Sequence, residues 1–396
     1  MKKRKGITID FQHSIDKLIH FVQAEKFFSL LFFLVFIMSL RNLFIPLNGD
    51  EITYNQIAEN ILKGKYYQKD YPTSVIPIIP FMIAFFKVQA YPIIGFIIQK
   101  LIHILFTIIG LRYIYLLYKK LGLPNKVVYS LILLCVTATG FVSSLPSLYP
   151  EAIVFFTFWA SIYYFNQTNN LFNYKRLIAF LVILVLTRHL FAVLGAMFLF
   201  YYYELIKSSN KNIFKYFFVA FVISLPLLFW LKYIYFVESN NLSEISYFSR
   251  FKSNENGLWY NIKCGLGLQQ HYESQKINGI PAFVSLFVPI TGIRNYTISL
   301  ILLFLMFFGF YKKTNTNHSK SMLAAFCLVF MGLIFAGTGF SRYWLVLLPI
   351  IYLGYYFAYE KLNASTKYFV ITSQLLSVIL ILNELRLTII ILKKIL

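Results

Sequence analysis

Long apolar runs recur from Phe27 to the C-terminal end, and they constrain this chain more than any other feature. The first, 27–47, carries a single charge, Arg41. At 1.5 Å rise per residue such a helix spans about 31 Å, the thickness of a bilayer's hydrocarbon core. It is longer than a signal-peptide core and lacks a small-residue cleavage site, so it reads as a spanning helix. The chain is 59% hydrophobic and 13% charged over 396 residues, which excludes a soluble globular protein. The expected fold class is therefore an all-α polytopic membrane protein.

The net charge of +22 falls in short loops. Lys2, Lys3, Arg4 and Lys5 precede the first run, and later clusters are Lys119, Lys120 and Lys126, then Lys175 and Arg176. Lys207, Lys211 and Lys215 follow, then Lys312, Lys313 and Lys320, then Lys361 and Lys367. Positive residues concentrated on one side of alternating segments place the N-terminus in the cytoplasm; the short loops and the absence of retention signals point to a plasma membrane. No basic face with interleaved stacking aromatics stands apart from these loops, so nucleic acid is not an expected partner. Cys135, Cys264 and Cys327 have no paired spacing, and no disulfide framework or zinc site is expected.

Loop charges and apolar lengths give about eleven membrane segments, within a range of 10 to 13. The expected spans are 27–47, 91–118, 127–147, 151–166, 177–188, 190–206, 214–237, 296–311, 321–338, 342–360 and 368–391. They form one transmembrane domain over 1–396, with two outward regions, 48–90 and 238–295. The pair 177–188 and 190–206 reads as a hairpin; a single broken helix is the other option and would invert everything downstream. With eleven segments the C-terminus lies outside, against the pull of Lys393 and Lys394. After Asp50, the residues Tyr54, Ile57, Ala58, Ile61 and Leu62 share one face at helical spacing and Gly64 ends the pattern. This predicts an amphipathic helix lying in the outer interface, with a short second helix near 81–88.

Polar residues at the ends of the spans are the candidates for chemistry. Asp50 and Glu51 follow the first span directly and so lie at headgroup depth. Capping of the interfacial helix accounts for the pair; a general base at the membrane surface accounts for it equally in chemical terms. Pro150-Glu151 opens the fourth span, as an ordinary helix start or as a second carboxylate. Arg342-Tyr343 opens the tenth. An Arg at an outer helix end snorkels to headgroups or grips a phosphate by paired charge-assisted hydrogen bonds. Arg188 lies at membrane depth, where a guanidinium costs roughly 2.5–3.5 kcal/mol and usually lines a polar cavity. Lys63 flanks the interfacial helix and is a further candidate for lipid phosphate. No metal-ligand spacing is present; a divalent ion held between Asp50, Glu151 and a phosphate is left open.

The stretches GDEITYNQIAENILKGKYY, LYPEA and SRYWLVLLP, in this order, make the chain resemble the GT-C superfamily of membrane glycosyltransferases. The resemblance is to the branch that includes protein mannosyltransferases and aminoarabinose lipid A transferases. It implies transfer of a sugar, with inversion, from a polyprenyl-phosphate donor to a glycolipid, glycan or protein acceptor on the outer side of the membrane. Asp50 then matches the catalytic base with Glu51 beside it. Glu51 and Glu151 shape the acceptor side, and Arg342, Tyr343, Arg188 and Lys63 meet the donor phosphate. The segment YPTSVIPIIP departs from the family in having no basic residue before its prolines. Two other readings share the hydropathy: a transporter or flippase of lipid-linked sugars, and a polysaccharide polymerase or ligase.

Overall fold

The computed structural model describes residues 26–66, 75–87, 91–167, 170–199, 203, 213–240, 257–271, 275–288, 293–313, 316–337 and 341–395. The basic residues Lys2, Lys3, Arg4, Lys5, Lys207 and Lys211 lie outside them, as do Pro72 and the parts 241–256, 272–274 and 289–292 of the second outward region.

Among the described residues the protein is helical apart from one hairpin of two two-residue strands, and it is a membrane-embedded helical bundle. Helices α1 (Lys26–Phe44), α4 (Pro92–Lys120), α9 (Ile213–Ser239), α12 (Asn317–Ala336) and α15 (Thr366–Ile395) are long and apolar enough to cross a bilayer. Between them come α2 (Asp50–Leu62), α3 (Ile78–Phe86), α5 (Asn125–Thr137), α6 (Thr139–Ser144), α7 (Glu151–Phe165), α8 (Leu171–Thr187), α10 (Gly257–Leu266), α11 (Tyr296–Phe310), α13 (Ser341–Trp344) and α14 (Leu348–Lys361). The core is built on α4, α7 and α8, with α1, α5 and α15 packed on one another beside it and α11, α12 and α14 completing the bundle. Fully buried Trp159, Trp344, Phe155 and Tyr118 lie within it.

Two expected spans are broken. The run 127–147 turns at Ala138, whose extended backbone separates α5 from α6. Thr137 and Thr139-Gly140 are weak helix formers there, and Thr137 bonds back to the Leu133 carbonyl. The run 342–360 tightens into a 3-10 turn at Leu345–Leu347, because Pro349 has no N–H to continue the ladder. Side-chain donors inside the bundle reach carbonyls on both sides of the break. Trp159 Nε1 donates to the Val346 carbonyl at 3.1 Å and Tyr118 Oη to the Pro349 carbonyl at 2.7 Å. Broken backbone at this depth survives only with such partners.

The fifth span begins earlier than the loop charges suggest. Asn170 caps α8, its side chain accepting from the Asn173 N–H at 2.8 Å, so Lys175 and Arg176 ride inside the helix. Arg176 stacks over Phe172 at 3.9 Å, which lets a charged residue sit on an apolar helix. The chain then leaves helical geometry at Arg188 and continues as a 3-10 turn, His189–Leu194.

The interfacial helix is α2, close to its expected bounds. It ends in a Schellman motif: the Lys65 N–H bonds to the Asn60 carbonyl and the Gly64 N–H to the Ile61 carbonyl, both at 2.9 Å. Ile57 and Ala58 are buried as the pattern requires, but Leu62 is exposed and Asn60 and Glu51 are buried. The apolar face is thus narrower than expected. Ala58 packs with Ile79, Ile83, Leu148 and Ile153, which clamps α2 and α3 onto the start of α7.

Candidate functional site

Four chain segments that are remote in sequence converge at one point: the starts of α2, α7 and α13, and the residue that ends α8. Each places a charged side chain there. Asp50 is the first residue of α2, reached through Gly49, whose positive φ of 52° a larger residue adopts only with strain. Glu151 is the first residue of α7, after Pro150. Arg188 ends α8 and Arg342 lies in α13.

The charges pair. Arg342 holds the Asp50 carboxylate through its NH2 group. Arg188 Nη2 donates to Glu151 Oε1 at 2.5 Å, and Arg342 Nε lies 3.7 Å from the same oxygen. Glu151 is 4% exposed, while the Asp50 side chain is 46% exposed and forms the open edge of the cluster. Aromatic rings back both guanidiniums. Arg188 lies 4.1 Å from the Tyr343 ring centre, and Arg342 lies 4.9 Å from that of Tyr149. Two carboxylates against two guanidiniums leave the cluster neutral, which is how charges are tolerated at this depth.

Glu51 is turned elsewhere. It is 2% exposed, and both of its oxygens are engaged by backbone. Oε1 accepts from the Leu148 N–H at 2.7 Å and Oε2 from the Asn48 N–H at 3.1 Å. The second bond is one half of a capping box, reaching back three residues. The first ties the loop before α2 to the loop before α7. Glu51 thereby sets the spacing of Asp50 and Glu151 and does not join their cluster. Lys63 does not join it either. It follows the far end of α2, about 20 Å along the helix from Asp50.

Of the residues singled out in the sequence, the structure brings together Asp50, Glu151, Arg188, Arg342 and Tyr343. Two tyrosines join them that the sequence did not single out for a role. Tyr149 Oη donates to Asn48 Oδ1 at 2.9 Å, and burial together with the nearby Glu51 charge pushes its phenol up to about 12. Tyr54, one turn after Asp50, is pushed well above the usual range by burial, against the opposing pull of Arg188. Tyr149 lies inside the stretch LYPEA, so position was the available signal.

A small cavity of about 10 Å³ lies among Glu151, Arg188, Arg342 and Tyr343, walled by Phe191 and Leu345. That is room for about one water. A sugar phosphate enters only if the ion pairs open. The donor set does not suit a divalent cation, because each carboxylate already faces a guanidinium that would repel it. Among the described residues no three His, Cys, Asp or Glu side chains group as metal ligands. A second, apolar pocket lies further along α7, lined by Ile162, Phe165, Leu177, Leu181 and Leu194. Both cavities share α7 and the 3-10 turn after Arg188 as walls, and along α7 their nearest residues, Val154 and Ser161, are about 10 Å apart. Comparison with protein-family models, with curated proteins and with solved structures finds no match to this chain, so the site is read from its own geometry.

Proposed function

We propose that this chain is an integral-membrane glycosyltransferase that moves a sugar from a polyprenyl-phosphate donor to an acceptor hydroxyl on the outer side of the membrane, with inversion. One observation carries the reading: two carboxylates and two arginines from four separate segments meet at helix ends, one carboxylate open and one buried. The eleven-segment topology, with a cytoplasmic N-terminus in a plasma membrane, belongs to the same proposal.

The chemistry follows from what each group touches. The donor phosphate competes with Asp50 for Arg342 and with Glu151 for Arg188, since a phosphate offers both guanidiniums a better fork than a shared carboxylate oxygen. Opening the Arg342 pair frees Asp50. The free carboxylate accepts the proton of the acceptor hydroxyl as that oxygen attacks the anomeric carbon. The bond from that carbon to the phosphate oxygen breaks, and its electron pair stays with the phosphate. Arg342 and Arg188 stabilise the growing charge where water is scarce, a term of which one donor typically contributes about 10²–10³ in rate. Glu151 orients the acceptor, Tyr343 and Tyr149 hold the guanidiniums in plane, and Glu51 fixes the frame. The apolar pocket along α7, about 10 Å³, is too small for an isoprene unit, so the prenyl chain stays in the surrounding lipid. Base and donor phosphate are coupled: Asp50 is released only when the donor is bound.

A second reading has its own observation. Helices broken beside a charged centre, as at Arg188 and at Leu345–Leu347, also occur where transporters bind ions and substrates. The test separates the two. Purified protein in lipid is given a panel of radiolabelled polyprenyl-phosphate sugars with a membrane-extract acceptor, wild type beside Asp50→Asn. Loss of sugar transfer in Asp50→Asn with donor binding retained supports the transferase. Sugar transfer at the wild-type rate in Asp50→Asn sinks the role given to Asp50. Movement of intact donor across the bilayer, without cleavage, supports the transporter.

A further inference from the structure

Two buried polar residues of α4 stand apart from the charged centre and yet bond to both of the loops that carry it. Lys100 and His103 are three residues apart on one face of this spanning helix. A polar side chain at such depth is costly unless it is engaged, so each is defined by what it holds.

Lys100 holds the first loop. Its Nζ donates to the Asn42 carbonyl at 2.6 Å and to the Ile45 carbonyl at 3.2 Å. Asn42 is in the last turn of α1, and the residue four further on is Pro46, which has no N–H to give it. An ammonium from a different helix supplies the missing donor, and a cation is favoured at that end of α1. Glu51 supplies the opposite charge through space. Asn42 also donates through Nδ2 to the Val142 carbonyl of α6 at 2.8 Å, which ties α1 to the run that leads into the second loop.

His103 holds that second loop. Its Nδ1 donates to the Ser147 carbonyl at 2.6 Å. Three residues beyond Ser147 is Pro150, which again has no N–H for the turn. The two arms are short: Ile45 precedes Asp50 by five residues, and Ser147 precedes Glu151 by four. Near their tips the arms are tied to each other, through Glu51 to the Leu148 N–H and through Tyr149 to Asn48. The result is a frame with α4 as its base, the two loops as sides, and Asp50 and Glu151 at the open end. A shift at the base passes along arms of this length to the carboxylates.

We propose that Lys100 and His103 are positioning residues of the transferase centre: from α4, they set the separation of Asp50 and Glu151 by holding the roots of the two loops. That the loops are held follows from the contacts; that the held groups turn over a donor rests on the transferase reading.

The test uses the full-length protein in lipid, wild type beside Lys100→Met, His103→Leu, His103→Asn and Thr107→Val. Asparagine places an amide donor where the imidazole has its Nδ1–H. Thr107 is the control, a buried residue one turn further along α4 whose hydroxyl bonds back to the His103 carbonyl of its own helix at 2.9 Å. In the sugar-transfer assay, kcat falls about 10²-fold in Lys100→Met and His103→Leu while the donor KM stays within about threefold, because an error of about 1 Å at the reacting groups costs this much and the phosphate ligands are unchanged. His103→Asn regains most of the loss, and Thr107→Val turns over as wild type does. Hydrogen exchange gives a readout that needs no activity. Amides of 47–51 exchange about tenfold faster in Lys100→Met and those of 147–149 in His103→Leu, while α4 and α7 keep their wild-type rates. Lys100→Met leaves Glu51 without its opposite charge; where that variant does not fold, the two His103 variants decide. Loop exchange at the wild-type rate would overturn the proposal, as would exchange quickened throughout the bundle, which is a general loss of stability. A kcat as low in Thr107→Val as in His103→Leu would overturn it too, as would wild-type kcat in both loop variants. A wild type that transfers no sugar sinks the transferase reading instead, and the exchange rates then decide by themselves whether α4 sets the two loops.

Discussion

At the scale of single residues, three carboxylates near the mouth of the bundle are held in three ways, and what holds each decides what it can do. Asp50 is open and shares one guanidinium; Glu151 is buried against two; Glu51 is buried against two backbone N–H groups. In the sequence Asp50 and Glu51 are adjacent and look interchangeable. Their difference comes from a partner about a hundred residues away, the Leu148 amide, which no local pattern announces. Asp50, Glu151 and Arg342 were legible because charges at the ends of apolar runs stand out. Tyr54 and Tyr149 were not, since the chain has 30 tyrosines and the interface favours them all. The positioning role of Glu51 makes a prediction. Glu51→Ala strips the buried Leu148 amide of its acceptor, costing about 1–3 kcal/mol, frees the more exposed Asn48 amide to water, and displaces Asp50 enough to lower turnover about 10²-fold. Glu51→Gln keeps one acceptor oxygen and recovers much of that loss. Turnover with donor and acceptor saturating is the discriminating measurement: Glu51→Gln regains it and Asp50→Asn does not. A Glu51→Gln variant as inactive as Asp50→Asn, with its fold intact, would make Glu51 the base.

At the scale of elements, existence was easier to read than continuity. Hydropathy averaged over a window sees 127–147 and 342–360 as unbroken, because the apolar residues on either side of each break dominate the average. The breaks depend on one missing N–H at Pro349 and on the turn at Ala138. The start of α8 was missed for the opposite reason: Lys175 and Arg176 look like a loop until an aromatic neighbour covers the guanidinium. Close packing between elements yields a prediction about α11 and α14. A Cβ on Gly309 would stand 1.8 Å from the Gly354 carbonyl oxygen, so Gly309→Ala must separate the two helices. We expect a loss of about 1–3 kcal/mol, read as a lowered midpoint of thermal unfolding in detergent. Gly195, with open space around it and a helical backbone (φ −54°), is the control for substituting a glycine without a clash. The clamp between α2 and α3 responds to pH. Lys87 donates to Glu59 at 2.7 Å and holds its carboxyl below the ordinary value of 4.5. A depressed folded-state pKa means stability that is present above pH 4.5 and lost as pH falls through the lowered value. The Glu59 side chain is about half exposed, so the effect is under about 1 kcal/mol. Hydrogen exchange of the α3 amides, corrected for intrinsic rates, should quicken selectively at low pH and lose that response in Lys87→Met.

At the scale of the whole molecule, the last helix shows how a largely lipid-facing element is held in a bundle. Most of the surface of α15 is uncovered, with Leu375, Ile379, Leu382 and Ile389 exposed. Its buried polar residues are Ser373, Ser377, Glu384 and Thr388, a single stripe at spacings of four, seven and four. The stripe faces α1 and α5. Ser377 Oγ lies 3.5 Å from Thr137 Oγ1, Thr388 Oγ1 donates to the Met38 carbonyl at 3.3 Å, and Glu384 is ion-paired with Arg41 at 2.6 Å. In lipid, apolar contact alone gives little preference for one neighbour over another, so such bonds choose which helices meet. In the sequence Arg41 is a lone charge in an apolar run and Glu384 sits two residues before Arg386, and the C-terminal segment was the hardest to place. Each was the other's explanation, 343 residues apart. The pair is almost fully buried, with side-chain exposures of 6% and 0%. Breaking it by Glu384→Leu alone leaves a guanidinium uncompensated and should cost about 3–5 kcal/mol. Replacing both, as Arg41→Met with Glu384→Leu, removes the charge together with its penalty and should return most of that loss. A thermal-unfolding double-mutant cycle reads the coupling directly. Recovery in the double variant, with the charged centre at Asp50 untouched, means that the pair selects the neighbours of α15. If the double variant is as unstable as the sum of the singles, the two residues do not act on each other, and the stripe of hydroxyls holds the helix instead.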